Sequence, residues 1–278
     1  MAAGFAYVAG MKKSVFAATS VILALLAAPA LAFSQDDVLT GRLLPGWRME
    51  NGNQMAAMAL RLSPGWKTYW RAPGEAGIPP EFDWSGSENI KSVRLHWPSP
   101  AVFHSNGLQT VGYHDALVLP VEITPLDPAR PVRVRLRVDL GVCNDICMPA
   151  ELRFEGDLST QGKPDAAIRA ALADQPRRGA EAGLRAISCT VAPISDGLRV
   201  TARIDLPKRG PEEVVVIENG DRSVWVSEAE TERQGITLVS SADMVSSGGG
   251  AFALDRKGVT VTILGEGRAV EIAGCPAP

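Results

Sequence analysis

The clearest pattern of apolar and polar positions runs from Val132 to Glu155, VRVRLRVDLGVCNDICMPAELRFE. Val132, Val134, Leu136, Val138 and Leu140 alternate with Arg133, Arg135, Arg137 and Asp139, the period of a strand buried on one side. Gly141 breaks the run, Cys143 and Cys147 follow, Pro149 closes the loop, and Leu152 and Phe154 resume the alternation. The pattern predicts a β-hairpin with two cysteines at its tip. Earlier, Asp37 to Leu44 predicts a first strand, Pro45-Gly46-Trp47 a break, and Gln54 to Ser63 a second strand. In residues 65–84 the same period places Trp66, Thr68 and Trp70 on one face and Lys67, Tyr69 and Arg71 on the other, before a Pro/Gly-rich stretch that cannot be helical. Phe103 to Thr110 is polar, contains glycine and reads as an exposed loop able to cover something.

The pattern changes after the hairpin. Asp157 to Gly183 is rich in Ala, Asp, Gln, Pro and Arg, with a short helical stretch at Asp165 to Ala173. It predicts a linker over 159–183. From Leu184 onward, short alternating runs return at Leu198–Leu206, Val214–Ile217, Ile236–Val239 and Val259–Ile263, separated by turn signals such as Asp196-Gly197 and Asn219-Gly220. The expectation is an all-β chain, with one β unit over 36–158 and a second, smaller sandwich-like unit over 184–278.

Composition bounds the function. With 46% hydrophobic and 21% charged residues, the chain reads as globular. Met11-Lys12-Lys13, the apolar run Val15–Leu26 and Ala30-Leu31-Ala32 form the three regions of a secretory signal peptide over 1–32. Its apolar run is too short to span a bilayer, and no other segment is apolar enough. A net charge of −3, with no basic cluster, argues against nucleic acid as a partner. Export to a bacterial periplasm is expected, where disulfides form and persist.

All four cysteines lie beyond that leader. A bridge between Cys143 and Cys147 closes a ring too small to restrain much of the unfolded chain, so this pair reads as chosen for reactivity. Cys189 and Cys275, near the two ends of the second unit, read as a structural disulfide. Of the three possible connectivities this one keeps each bridge inside a unit; crossed pairing is the alternative. His96, His104 and His114 lie eight and ten residues apart, with no two at the i, i+2 or i, i+4 spacing of a ligand pair, which argues against a three-histidine metal site, and no cofactor is expected. Five of the six tryptophans, Trp47, Trp66, Trp70, Trp84 and Trp97, precede residue 100 and read first as core packing, second as an aromatic wall beside the hairpin.

GWKTYWRAPGEAGIP, FHSNGLQTVGYHDALVLPVEI and DLGVCNDICMPAEL, in that order and spacing, closely resemble the periplasmic N-terminal domain of the thiol:disulfide interchange protein DsbD and its copper-tolerance relatives of the ScsB type. The resemblance covers about residues 38–157. It implies an immunoglobulin-like sandwich whose redox cysteines pass reducing equivalents to or from periplasmic thioredoxin-like proteins, fed by a membrane electron donor of DsbD/CcdA type, in cytochrome c maturation or copper-stress tolerance. It further implies that Cys147 forms the mixed disulfide with partners and Cys143 resolves it. Tyr69 falls where family aromatics line the site, and Phe103, His104, Ser105 and Asn106 fall in a cap loop that shields the pair. Two departures stand out. The loop between the cysteines is shorter than in the best-known members, and the cap has Ser105, Asn106 and Gly107 where those carry acidic and aromatic residues. Residues 184–278 also form a β unit where a membrane carrier and a thioredoxin-like domain are expected, so electrons are expected from another chain.

Two other functions fit the residues. Soft ligands select Cu(I), and Cys143, Cys147 and Met148 are adjacent, with Met55 and Met58 elsewhere. Alternatively both bridges are structural and the chain is a two-domain β module. Neither the GxSxG of a serine hydrolase nor a phosphate-cradling glycine loop occurs.

Overall fold

The computed structural model describes residues 34–105, 107–158, 162–250 and 252–278, and the statements below concern these. The signal peptide expected over 1–32 lies outside the described residues. Residues Gln35–Pro278 form one compact unit.

After a single helical turn, α1 (Gln35–Val38), ten strands follow: β1 (Leu39–Arg48), β2 (Gln54–Leu62), β3 (Lys67–Tyr69), β4 (Glu81–Asp83), β5 (Ile90–Leu95), β6 (Ala101–Ser105), β7 (Leu108–His114), β8 (Ala116–Pro125), β9 (Val132–Cys143) and β10 (Cys147–Leu158). They make two antiparallel sheets. One has the order β1-β2-β8-β5; the other has the order β10-β9-β3-β7-β6, with β4 also pairing with β9. Between them lies a core of Val132, Val134, Leu136, Val138, Leu140 and Val142 from β9, with Trp70, Trp97, Leu119 and Phe154. Trp66 and Trp84 pack partly buried against it. The tryptophans of the first hundred residues are therefore packing residues, as their clustering suggested.

Two local expectations needed correction. Pro45-Gly46 does not end the first strand: β1 runs through it with a register shift between Leu44 and Trp47, a bulge that Gly46 permits by adopting φ +59°. Phe103–Ser105 and Leu108–Thr110 belong to two paired strands, β6 and β7, joined from Ala101↔Gly112 to Ser105↔Leu108, and not to an irregular loop. Their polar residues hid a strand pair because one side of it faces solvent.

From Asp165 the connection between the two β units holds regular structure. Asp165 caps α2 (Ala166–Ala173) by accepting hydrogen bonds from the backbone N–H groups of Ala167 and Ile168. Ile168 is fully buried against Leu44, Met55 and Ala57 of the first sheet. Nine further strands follow: β11 (Arg177–Arg178), β12 (Ala186–Pro193), β13 (Leu198–Asp205), β14 (Val214–Glu218), β15 (Val224–Val226), β16 (Glu230–Gln234), β17 (Thr237–Ser246), β18 (Thr260–Leu264) and β19 (Val270–Ala273). One sheet runs β11-β19-β18-β14, the other β12-β13-β17-β15 with β16 also on β17. Val200, Ala202, Ile204, Leu238, Met244, Val261 and Ile263 fill the space between them. The molecule is all-β, two sandwiches in tandem.

The two sandwiches share a boundary of mixed character. Leu264 and Ala269 of the second belong to the core of the first, with Val214 and Val216 packed against it. Around this apolar contact, Arg71 donates to both carboxylate oxygens of Glu218 (2.8 and 2.9 Å) and to Glu271 (2.7 Å). Ser99 Oγ donates to the Asp174 carbonyl and accepts from Ala269 N–H. No described helix is long and apolar enough to cross a membrane.

Candidate functional site

The hairpin of β9 and β10 pairs residue for residue from Leu158↔Val132 to Cys147↔Cys143, so the two cysteines close its end as direct cross-strand neighbours. Their sulfurs are joined, with Cα atoms 4.1 Å apart. Alternation decides which way they point. Val142 enters the core, so Cys143 and the residues in step with it, Gly141 and Asp139, belong to the outer face. The pair is asymmetric: Cys143 is buried, whereas Cys147 is exposed beside Ile146, a large apolar side chain 75% exposed at the tip.

β3 sits between the hairpin strand β9 and the cap strand β7. Its register, Lys67↔Cys143 on one side and Lys67↔His114 on the other, lines up Cys147, Cys143, Lys67 and His114 across four adjacent strands on the outer face. Tyr69 shares that face and is buried. Its hydroxyl lies 3.2 Å from the sulfur of Cys147, and since a disulfide sulfur carries no hydrogen, the phenol donates. Burial pushes the Tyr69 phenol above its ordinary pKa, keeping the proton it donates. The ring reaches the sulfur because Gly141 leaves the space: a Cβ there would stand 2.8 Å from the Tyr69 ring and 2.7 Å from Ile78.

Lys67 is the residue that sequence reasoning missed. It is only 8% exposed, and its ammonium donates to Thr110 Oγ1 at 3.0 Å and lies 5.2 Å from the centre of the Phe103 ring. Burial holds it below the usual lysine pKa. The alternation of residues 66–71 did assign it to the face of Tyr69, but a lysine on the outer side of a strand ordinarily reads as solvated.

The cap residues divide between two sides of the β6–β7 pair. Phe103 and Ser105, paired with Thr110 and Leu108, share the side of Lys67, and Phe103 also packs edge-on against His114 at 4.4 Å. The cap thus meets the cysteines through Lys67. His104 points the other way, to Glu212 of the second sandwich, 2.8 Å between Nε2 and Oε1. Asn106 lies outside the described residues. His96 is elsewhere, between Glu122 and Gln175, so the three histidines do not converge.

Met148, opposite Val142, packs against the core, away from the sulfurs; Met55 and Met58 are core residues as well. The thioethers therefore do not join the two sulfurs in a ligand set, and no group of three or more His, Cys, Asp or Glu able to hold a metal occurs among the described residues. Cys189 and Cys275 are bonded in the second sandwich and both buried, with Arg256 donating to the carbonyls of both.

A family model described as the N-terminal region of the thiol:disulfide interchange protein DsbD matches residues 40–158. Among solved structures, the N-terminal periplasmic domain of ScsB from Proteus mirabilis is similar in fold, with 21% sequence identity, a TM-score of 0.66, and coverage of 89% of this chain and 96% of that one. That coverage spans both sandwiches. The second β unit, which set the sequence apart from DsbD, is therefore part of a fold shared with that domain. No curated protein matches the chain.

Proposed function

With residues 40–158 recognised as a DsbD N-terminal-type domain, we propose that the chain is a periplasmic thiol:disulfide oxidoreductase, exchanging reducing equivalents with thioredoxin-like proteins through Cys143 and Cys147. The observation that carries this reading is the asymmetry of the bridge. One sulfur is offered at an exposed tip with a phenol on it, and the other is buried behind it. Exchange proceeds by in-line attack of a thiolate on the more accessible sulfur. A partner thiolate attacks Cys147, the Cys143–Cys147 bond breaks, and its electron pair leaves on Cys143. A second partner thiolate then attacks the mixed disulfide, Cys147 leaves as thiolate, and the partner departs oxidised by two electrons. Run backward, the same steps reduce a partner. The Tyr69 phenol stabilises the charge on Cys147 as it leaves, because a hydrogen bond to an ionised acceptor is stronger than one to a neutral sulfur.

Exposed Ile146, between the two cysteines, supplies apolar surface for docking such a partner, and a membrane donor of DsbD/CcdA type would restore the dithiol. The test is incubation with a reduced thioredoxin-like protein, followed by alkylation and mass spectrometry. The expected result is two alkylated cysteines, Cys143 and Cys147, with Cys189–Cys275 intact. Cys143→Ser accumulates a mixed disulfide through Cys147, and Cys147→Ser forms none. Both bridges left untouched would overturn the reading.

A further inference from the structure

Lys67 poses a physical problem that the exchange steps above do not use. It is more than nine-tenths buried, its ammonium donates to a neutral hydroxyl, and among the described residues no carboxylate pairs with it. Taking a cation out of water without an anion is costly, and proteins ordinarily avoid it. The cost is sensible if the missing anion forms during function. Directly paired residues of antiparallel strands carry their side chains on one face, with Cβ atoms about 4.5–5.5 Å apart. Lys67 stands in that relation to Cys143.

We propose that Lys67 is a positioning residue for the exchange: its capped ammonium stabilises the thiolate that Cys143 becomes when the disulfide opens. The inference rests on the relay reading, since only an opening bridge produces that charge. When an incoming thiolate bonds to Cys147, the electron pair of the broken S–S bond resides on Cys143, and no proton need arrive because Lys67 supplies the compensating charge. In the return step the Cys143 thiolate gives that pair back to the Cys147 sulfur and expels the partner thiolate. Phe103 and Thr110 lie against the ammonium, which is itself buried, and a charge pair held out of water is stronger than one in it. The other titratable groups facing Lys67 are Tyr69 on its own strand, His114 across β7 and Cys147 beyond Cys143.

Two forces on Cys143 act in opposite directions, which makes the proposal decidable. Burial alone raises a thiol above the ordinary ~8.5, whereas a neighbouring cation lowers it. In Cys147→Ser, Cys143 is the single free thiol, and its ionisation can be followed by thiolate absorbance and by alkylation rate against pH. The expected pKa is below ~8.5 despite the burial; a value above that overturns the proposal, and this measurement needs no change at Lys67. Adding Lys67→Met is expected to raise it by about one unit or more, and Lys67→Arg to restore it. In the wild-type pair, Lys67→Met is expected to lower the reduction potential, by about 30 mV for a tenfold loss of thiolate stabilisation measured above the thiol pKa values. An unchanged Cys143 pKa in Lys67→Met also overturns it. The relay reading fails separately: a bridge opened by a chemical phosphine but not by a thioredoxin-like protein would sink the relay while leaving the Cys143 titration measurable.

Discussion

Tyr69 and Gly141 are a matched pair, a large ring and the absent side chain that admits it. Tyr69→Phe keeps the ring and removes the donor to Cys147. The fold is expected to lose about 1 kcal/mol or less, one hydrogen bond. Alkylation of reduced Cys147 near neutral pH is expected to slow a few-fold, readable by quenched iodoacetamide labelling. Gly141→Ala is the converse test, because its new Cβ meets Ile78 and the Tyr69 ring at less than 3 Å. Overpacking of this kind costs about 1–3 kcal/mol, seen as a lower urea midpoint with an unchanged slope. It also tilts the ring, so exchange slows together with the loss of stability. The sequence marked Tyr69 by its place in a resemblance and marked Gly141 only as the end of an alternating run. That the two are cross-strand neighbours depends on β3 being inserted next to β9, a long-range pairing that no local pattern encodes.

At the scale of elements, the β6–β7 pair has two occupied sides. One covers Lys67 through Phe103, and the other reaches the second sandwich through His104 and Glu212. Both partners of that contact are more than half exposed, so it contributes little to global stability. It ties the β6–β7 pair to the second sandwich. Glu212→Gln is expected to leave the urea midpoint unchanged within about 0.5 kcal/mol while deuterium uptake across 103–108 rises. A second polar link joins elements far from the site. Glu122 on β8 accepts from Asn53 at 2.6 Å and meets His96 at 3.0 Å, and Gln175 lies against the other ring nitrogen of His96. The Asn53 hydrogen bond, with a smaller contribution from His96, holds the Glu122 carboxyl below its ordinary 4.5. A carboxylate depressed in the folded state stabilises the fold above its unfolded pKa, and that contribution disappears as pH falls through the folded value. Glu122→Gln is therefore expected to be less stable than wild type at pH 6, with the gap closing as pH drops below about 4.5 in urea titrations.

For the whole molecule, the tie between the sandwiches is Arg71. Its guanidinium lies over the Trp70 ring at 4.4 Å and binds Glu218 and Glu271 across the boundary, and these carboxylates hold it firmly in the charged form. Arg71→Met keeps the stem and leaves two carboxylates facing each other in a partly dry seam. A loss of about 1–3 kcal/mol is expected, discounted for the exposure of Glu271. The measurement is a denaturation curve that broadens or splits as the two sandwiches lose their common transition. The sequence by itself determined the strands buried cleanly on one side, such as β9 and β13, because period-two alternation follows directly from which side of a pleated sheet is buried; β6 and β7, read as a polar loop, it did not. It determined the hairpin and its cysteines, because a break and a proline within one alternating run leave the chain nowhere else to turn. It placed Lys67, Tyr69 and Arg71 on one face for the same local reason. Only the tertiary structure decided what these residues touch: a disulfide sulfur for Tyr69, a hydroxyl and an aromatic ring for Lys67, and, beyond the end of β3, another sandwich for Arg71. Strand order and the docking of one sandwich on another are set by contacts between residues tens to hundreds of positions apart, and alternation carries no record of which strand lies alongside.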